Sequence, residues 1–302
     1  MPAYLTHKLA SISACDAIRD PEIKRIITEN MTEYLSGAQG GDFVYFSHYY
    51  LLPVSYKIKI YGWLVHRARP SEYLVKASRY VKKHYSEKLM AYYFGYLNHY
   101  CLDKYIHPHV YADSHNLSTH TYLEQALDVM YADKYFHLDA TKIKRKDELL
   151  SLIVDKDELD AFHRHMAAAV YSGYRLPKGA YASSYKWWAR VAHFTDQPSK
   201  WRRFWLNIFN FFLAFDIIAF IYKPREQVEK LYDYEEYFRN IQKANQESIS
   251  YMQLVFEFVR GQHDESVLSS TFFNVNCLGK PVVSWEERRD FRRAYRKAPI
   301  IK

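Results

Sequence analysis

Cysteine is scarce in this chain. There are three in 302 residues, Cys15, Cys101 and Cys277, and no CxxC spacing. That excludes a disulfide framework and argues against a thiolate zinc site. Glycine is scarce as well, at nine residues, while 49% of the chain is apolar and 18% is aromatic. Such a composition excludes disorder and low complexity and fits a compact fold of regular elements. Runs of alternating β-branched residues, the mark of strands, are almost absent. No G-x-S-x-G occurs and no cysteine sits in a catalytic context, so a side-chain nucleophile is not expected. The opening MPAYLTHKLASISACDAI lacks a basic stretch followed by an apolar core. The expectation is a cytoplasmic protein without a secretory signal, membrane-peripheral at most.

What is present reads as helix. Residues 8–18 and 21–30 have helical periodicity, with Pro21 suited to a first turn. Further helices are expected at 71–84, 87–106, 144–154, 156–172 with Gly173 as a stop, and 225–260 ended by Gly261. Pro108 should end the long aromatic helix at 87–106, because the residue before proline is steered away from α. Ser118 or Thr119 is suited to cap the helix that follows. The chain reads as all-α, with no linker and no internal repeat.

Five of the 14 histidines fall in one 22-residue stretch: His99, His107, His109, His115 and His120. Two acids stand among or just beyond them, giving His99-x3-Asp103-x3-His107-Pro108 and then His120-x3-Glu124. Residues four apart share one face of a helix, so each pair can aim both groups at one point. Imidazole and carboxylate are the ligands that hold zinc and its first-row neighbours when thiolate is absent. The segment reads as the centre of a metal site, of more than one ion. Cys101 lies between two of these ligands and is better read as a buried thiol on the opposite helix face.

Three upstream elements extend the pattern. Gly37-Ala-Gln-Gly-Gly-Asp42 presents an acid from a flexible turn, Tyr61-Gly-Trp-Leu-Val-His66 ends an apolar run on histidine, and Thr6-His7 stands near the start. Taken singly, each histidine is more often a hydrogen-bonded structural residue. His109 is an alternative to His107, and His115 is close enough to support the ligands or face substrate. His48, His84, His137, His163, His165, His193 and His263 read as surface or structural, and His263-Asp264 is only a weak match to an HD-phosphohydrolase signature.

The most hydrophobic stretch, WLNIFNFFLAFDIIAFIY at 205–222, has roughly the minimum length to span a bilayer and basic flanks at 200–203 and 223–225. Asn207, Asn210 and Asp216 interrupt it, which is costly in lipid. A core helix or a cover over the core is the first expectation, with peripheral membrane contact through 205–222 kept beside it. The net charge of +8 permits an anionic partner, although Lys200-Trp-Arg-Arg203, Arg288-Arg289 and Arg292-Arg293 also read as solvated surface.

In order, His7, GAQGGD42, VH66, HYCLD103, HP108 and HTYLE124 resemble the zinc-dependent phospholipase C family, which is related to the P1-type nucleases. The resemblance covers about residues 1–130, plus a loose NVNCLGKP near the C-terminus. It implies an all-α, single multi-helix bundle with a C-terminal helical extension. Residues 1–302 would then form one domain, with a metal-ligand core at 1–130 and a helical extension or lid at 131–302. It also implies two or three zinc ions. Carried over, Asp42, His66, His99 and Asp103 would hold the first, and His107, His120 and Glu124 the second. Asp103 would bridge toward a third held by His7 and the N-terminal residue, and Asp42 would be the general base. The family uses the amine of a tryptophan freed by signal cleavage; here the chain opens Met1-Pro2, and removal of Met1 would hand that role to Pro2.

The implied function is zinc-dependent phosphoric-ester hydrolysis, on a phospholipid headgroup or a soluble phosphodiester. Tyr45-Phe46 and Tyr49-Tyr50 could line a cleft for an acyl-glycerol or choline group, with core packing the simpler reading. A nuclease or nucleotidase on the same scaffold, and a metal-stabilised non-catalytic scaffold protein, are the alternatives. No stable nucleic-acid partner is expected.

Overall fold

The computed structural model describes residues 4–47, 52–170, 174–212, 216–272 and 274–282. The chain runs α1 (Tyr4–Ala17), α2 (Pro21–Glu29), α3 (Met31–Gly37), a 3₁₀ turn at Asp42–Phe46, α4 (Leu52–Arg67), α5 (Pro70–Lys83), α6 (Glu87–Asp113) and α7 (Leu117–Phe136). It continues through α8 (Arg145–Ser151), α9 (Lys156–Val170), α10 (Ala180–Thr195), α11 (Lys200–Phe212), a 3₁₀ turn at Ile217–Phe220, α12 (Arg225–Val228), α13 (Tyr234–Val259) and α14 (Glu265–Thr271). Among the described residues the one extended pairing is an isolated antiparallel bridge between Val275 and Pro281. The fold is all-α.

Local chemistry sets several starts. Asp20 accepts from the Glu22 and Ile23 amides with Pro21 in the first turn of α2, and Ser86 accepts from Leu89 at the head of α6. The cap of α7 is Asn116, upstream of the expected Ser118 or Thr119. Thr119 instead completes a reciprocal capping box with Asn116.

α6 is the axis of the molecule. Its residues from Leu89 to Asp103 are all buried, and α3 and α13 pack along it. One apolar cluster extends from Tyr4 to Cys277. Tyrosine dominates this core because its ring fills volume while its hydroxyl finds a buried acceptor. Tyr34 donates to the Ser11 carbonyl at 2.9 Å, Tyr93 to Leu74 at 2.7 Å and Tyr181 to Leu152 at 2.8 Å. A polar clamp ties three helices together: Ser11 of α1 donates to Asn98 of α6, which donates to Asn245 and Ser248 of α13.

Three expectations change. α6 does not stop at Pro108 but runs on to Asp113. The expected helix at 225–260 is two helices, broken between Val228 and Tyr234, although Gly261 follows with φ +78° as a C-terminal stop should. Gly173 lies outside the described residues. The apolar run at 205–222 is not one core helix, although Phe220 and Tyr222 at its end join the core and cover it as the other expectation had it. Asn210 and Asp216 bond to each other, and Asp216 accepts from the Ile218 amide and caps a 3₁₀ turn. The polar residues that interrupt the run therefore break it, and α11 stays outside, held to the turn through Leu206 against Ile217 and Ile221. No helix among the described residues is long and apolar enough to cross a membrane.

Candidate metal centre

The continuity of α6 past Pro108 builds the site. It puts His99, Asp103 and His107 at successive turns on one face, all buried. Proline has no amide to give the Lys104 carbonyl, a defect that ordinarily costs about 3 kcal/mol or more inside a helix. Here the turn at Gly279, with φ +68°, lies against the Pro108 ring and the Lys104 carbonyl so closely that a Cβ would sit 2.2 Å from Pro108 Cγ. From the same turn the Cys277 carbonyl accepts from His107 Nδ1 at 2.8 Å. The NVNCLGKP segment thus braces the helix where it is weakest and aims His107 Nε2 inward. Neither role shows in side-chain type, so the spacing of ligands alone does not reveal them.

The remaining groups come from four other elements. His7 projects from α1, whose start is fixed by Asp128: the Leu5 and Thr6 amides donate to its carboxylate at 3.1 and 2.6 Å. Asp128 stands one turn beyond Glu124, a continuation of the same helical spacing. Asp42 opens the 3₁₀ turn after Gly40 and Gly41. His66 lies in the last turn of α4, and its Nδ1 donates to the Gly62 carbonyl at 2.6 Å, leaving Nε2 for the centre. His120 and Glu124 share a face of α7 with Nε2 and Oε1 3.1 Å apart.

These residues converge in two buried groups: Asp42, His66, His99 and Asp103, and then His107, His120 and Glu124. Within each group the ligand atoms lie within 4.8 Å of one another. Asp103 joins the groups. Its Oδ2 is 3.2 Å from His66 Nε2, 3.4 Å from His99 Nε2 and 3.7 Å from His107 Nδ1, and its Oδ1 is 3.3 Å from His7 Nε2. His7 lies outside both groups but stacks near His99, with ring centroids 4.6 Å apart. Pro2 falls outside the described residues.

The electrostatics show strong opposing demands. Burial disfavours charge on His66, yet Asp42 and Asp103 outweigh it and hold the imidazole up at about 10. On His99 burial wins over the same two carboxylates and depresses it to about 4. Asp103 is held well below its usual range against its own burial, by His107, His99, His66 and His7.

The donor set fits zinc on its own evidence. His7 Nδ1, Asp42 Oδ2, His66 Nε2, His99 Nδ1 and Asp103 Oδ2 are buried and make no hydrogen bond. Several stand within 2.9–3.6 Å of an opposite charge without hydrogen-bond alignment, because they aim at shared points between them rather than at each other. Buried polar atoms left this way cost about 1–3 kcal/mol each, a cost that bound cations would remove. Nitrogen and carboxylate oxygen without thiolate suit zinc. Cys101 is buried on the far side of α6 near Glu247 and takes no part.

A cleft of about 550 Å³ opens onto His120 and Tyr45, the latter within 3.4 Å of His66 Nδ1. His115 lines it, whereas His109 bonds to Asn240 and pairs with Glu236 away from the centre. Phe46 is in the core, stacked on Trp188, and Tyr49 and Tyr50 lie outside the described residues. His263 pairs with Glu257 and joins no cluster.

An all-α chain that gathers buried imidazoles and carboxylates around a shared aspartate, with His120 on the wall of a cleft, has the donor set of a helical zinc protein. The zinc-dependent phospholipase C family model matches residues 6–175, more than half of the chain, with His7 and all seven clustered residues, and the chain belongs to that family. No curated protein and no solved structure matches it.

Proposed function

We propose that the protein is a zinc-dependent phosphoric-ester hydrolase that acts on phospholipid headgroups. The observation that carries this reading is the pair of buried ligand groups joined by Asp103 and opening on a cleft. Zinc held there, as two or three ions, would polarise a phosphoryl oxygen and lower the pKa of bound water. Asp42 is the general base: its Oδ2 lies buried without a hydrogen bond and would take the proton of the attacking water. His66 Nε2 and His99 Nδ1 stand beside its two oxygens, at 2.9 and 3.6 Å. His7 would serve a third ion together with the chain's N-terminal residues, Pro2 included.

A lipid substrate is supported by α11. Trp201 is 69% exposed, Phe209 55% and Phe204 51%, and they form a ladder in which Trp201 meets Phe204 and Trp205 at 5.7 and 5.5 Å. Exposed Lys200 and Arg203 flank them, the composition of a helix that lies in a bilayer interface. The 3₁₀ turn under α11 contributes Asp216 and Phe220 to the cleft, so a bilayer met by α11 would present its headgroups beside the metal centre.

The test is zinc content by plasma mass spectrometry of untagged protein beside a His99→Ala/Glu124→Ala variant, followed by a phosphoester screen with vesicle flotation. About two or three zinc ions per chain, lost in the variant, with lipid turnover and flotation, are the expected results. Absence of stoichiometric metal under zinc-replete conditions would reject the ligand set. Cleavage of single-stranded nucleic acid without lipid turnover would replace the substrate.

A further inference from the structure

The exposed aromatic ladder of α11 does not stand alone. At its foot a second cavity, of about 310 Å³, opens between the starts of α8 and α11 and the end of α10. It shares no lining residue with the cleft at the metal centre. Its wall is cationic: Lys144 and Lys146 stand at the start of α8, and Arg202 in the first turn of α11. Two acids line it as well. Asp196 is committed to the fold, since the buried Arg145 donates to its Oδ1 through Nε at 2.6 Å and the Lys146 amide to its Oδ2 at 3.3 Å. Asp147 is exposed and pairs with none of the three cations.

Among the described residues the Lys144 and Lys146 ammonium groups make no hydrogen bond or ion pair. Arg202 uses Nη1 alone, donating to the His193 carbonyl at 2.7 Å, which fixes the guanidinium at the wall and leaves its Nε and Nη2 donors unused. Three cations against one uncommitted carboxylate concentrate positive potential in a space of the size that holds a single headgroup. The surroundings identify the anion. Phe194, 47% exposed, follows His193, and Trp201, 69% exposed, precedes Arg202. Between residues 190 and 203, Arg190, Lys200, Arg202 and Arg203 face a single acid, the committed Asp196. Aromatic rings interleaved with Lys and Arg make a surface that settles at the level of lipid headgroups, and its cations gain from anionic lipid. A soluble anion would fill the cavity and leave the rings in water, whereas a bilayer takes both.

We propose that this cavity is a non-catalytic docking site for the headgroup of an anionic phospholipid, with Arg202 and Lys146 as its main contacts and α11 seated in the same leaflet. The guanidinium offers a planar fork to the lipid phosphate and the ammonium a point charge beside it. A lipid held there is not the one cleaved; it keeps the chain on the bilayer. The inference rests on the lipid reading above for its partner, while the site lies apart from the metal centre and is tested apart from turnover.

The experiment is flotation of the zinc-loaded full chain with vesicles of phosphatidylcholine, alone or with added phosphatidylglycerol, at low and at raised salt. Turnover of a water-soluble short-chain phosphatidylcholine, which needs no bilayer, is followed in parallel. Each cation near an anionic surface strengthens attachment about fivefold, so wild type should hold the phosphatidylglycerol vesicles at least about tenfold more tightly, a margin that salt narrows. Arg202→Gln with Lys146→Gln should remove most of that margin while zinc content and the weaker attachment to phosphatidylcholine persist. Should the pair misfold, Arg202→Gln alone is expected to lose about fivefold. Lys243→Gln removes an exposed cation from α13 and should leave the margin within about twofold. Trp201→Ser should weaken attachment to both vesicles, since the ring no longer enters the interface. Equal attachment of wild type to the two vesicles overturns the proposal. So does a loss in Lys243→Gln as large as that in the pair, because positive charge anywhere would then suffice. Short-chain turnover without attachment to anionic vesicles overturns the docking site and leaves the hydrolase reading intact. Attachment with no turnover of either lipid form does the reverse.

Discussion

His99 and His163 are both buried imidazoles on helices of the core, and both are held neutral by burial, at about 4 and about 3. Their surroundings differ. Around His163 each ring nitrogen meets a tyrosine hydroxyl, Tyr61 at 2.9 Å and Tyr92 at 2.5 Å, inside a cage that includes Phe43, Phe162 and Tyr181. Around His99 the neighbours are carboxylates and further imidazoles, and Nδ1 has no hydrogen bond. A depressed pKa is common to both and cannot tell a ligand from a structural residue. Hydrogen-bond satisfaction can: a ring whose two nitrogens are both used needs nothing more, and a ring left open among acids needs a cation.

The sharpest way to break this contrast is to remove the shared carboxylate. Asp103→Asn keeps the shape and deletes the charge that faces His7, His66, His99 and His107. Zinc affinity, measured against a competing chelator, should fall by more than the roughly 10–100-fold typical of a residue that only supports a ligand. Hydrolysis should be lost with it. His163→Gln should leave zinc stoichiometry unchanged. If Asp103→Asn kept its zinc, or His163→Gln lost it, the distinction between the two environments would be wrong.

The second contrast is in acid. His163 has its folded pKa depressed to about 3 from the ordinary 6.5. Below about pH 6.5 the unfolded chain takes up a proton there and the folded one does not, so stability is complete above that pH and drains away as pH falls toward 3. The upper limit of the loss is about 5 kcal/mol. His163→Gln should be less stable than wild type at pH 7, with the gap closing on acidification when both metal-free proteins are compared by urea unfolding. A gap that stays constant from pH 7 to pH 4 would show that His163 is not buried neutral.

The grouping at the centre is legible in the chain because it depends on counting. Histidine and carboxylate at four-residue spacing share a helix face whatever the rest of the fold does, so His99, Asp103, His120 and Glu124 can be paired before any packing is known. Asp42 and His66 come within reach only through the order of motifs, since nothing local says that their loop and helix end meet. The continuation of α6 through Pro108 is not legible. The rule against helix before proline is local, and the brace at Gly279 lies 171 positions further along the chain. The place of α11 is hidden for a related reason. Hydropathy measures how apolar 205–222 is, but whether Trp201 and Phe209 are covered depends on the turn that Asn210 and Asp216 make. The Cys277 carbonyl leaves no mark in the sequence at all, being backbone.

The smallest effect expected is also the most discriminating, because it replaces no ligand. Gly40 and Gly41 are neighbours in the GAQGGD motif and differ sharply in what a methyl group would meet. At Gly40, with φ +54°, an added Cβ would lie 1.9 Å from Cδ2 and 2.2 Å from Nε2 of His99. At Gly41, with φ −94°, its nearest neighbour is Val65 Cγ1 at 3.5 Å, an ordinary contact. Gly40→Ala carries about 1–2 kcal/mol of backbone strain from the left-handed conformation, and the clash must also move the ring. The ring cannot move without drawing Nε2 from Asp103 and Nδ1 from Asp42, its partners at 3.4 and 3.6 Å. Zinc affinity should therefore drop by about tenfold, the scale of a misplaced supporting residue. Gly41→Ala should stay within about 0.5 kcal/mol in stability and leave zinc affinity unchanged. Equal behaviour of the two variants would mean that the glycines serve only the turn; unequal behaviour would mean that Gly40 is there because His99 lies against the backbone, leaving no room for a side chain.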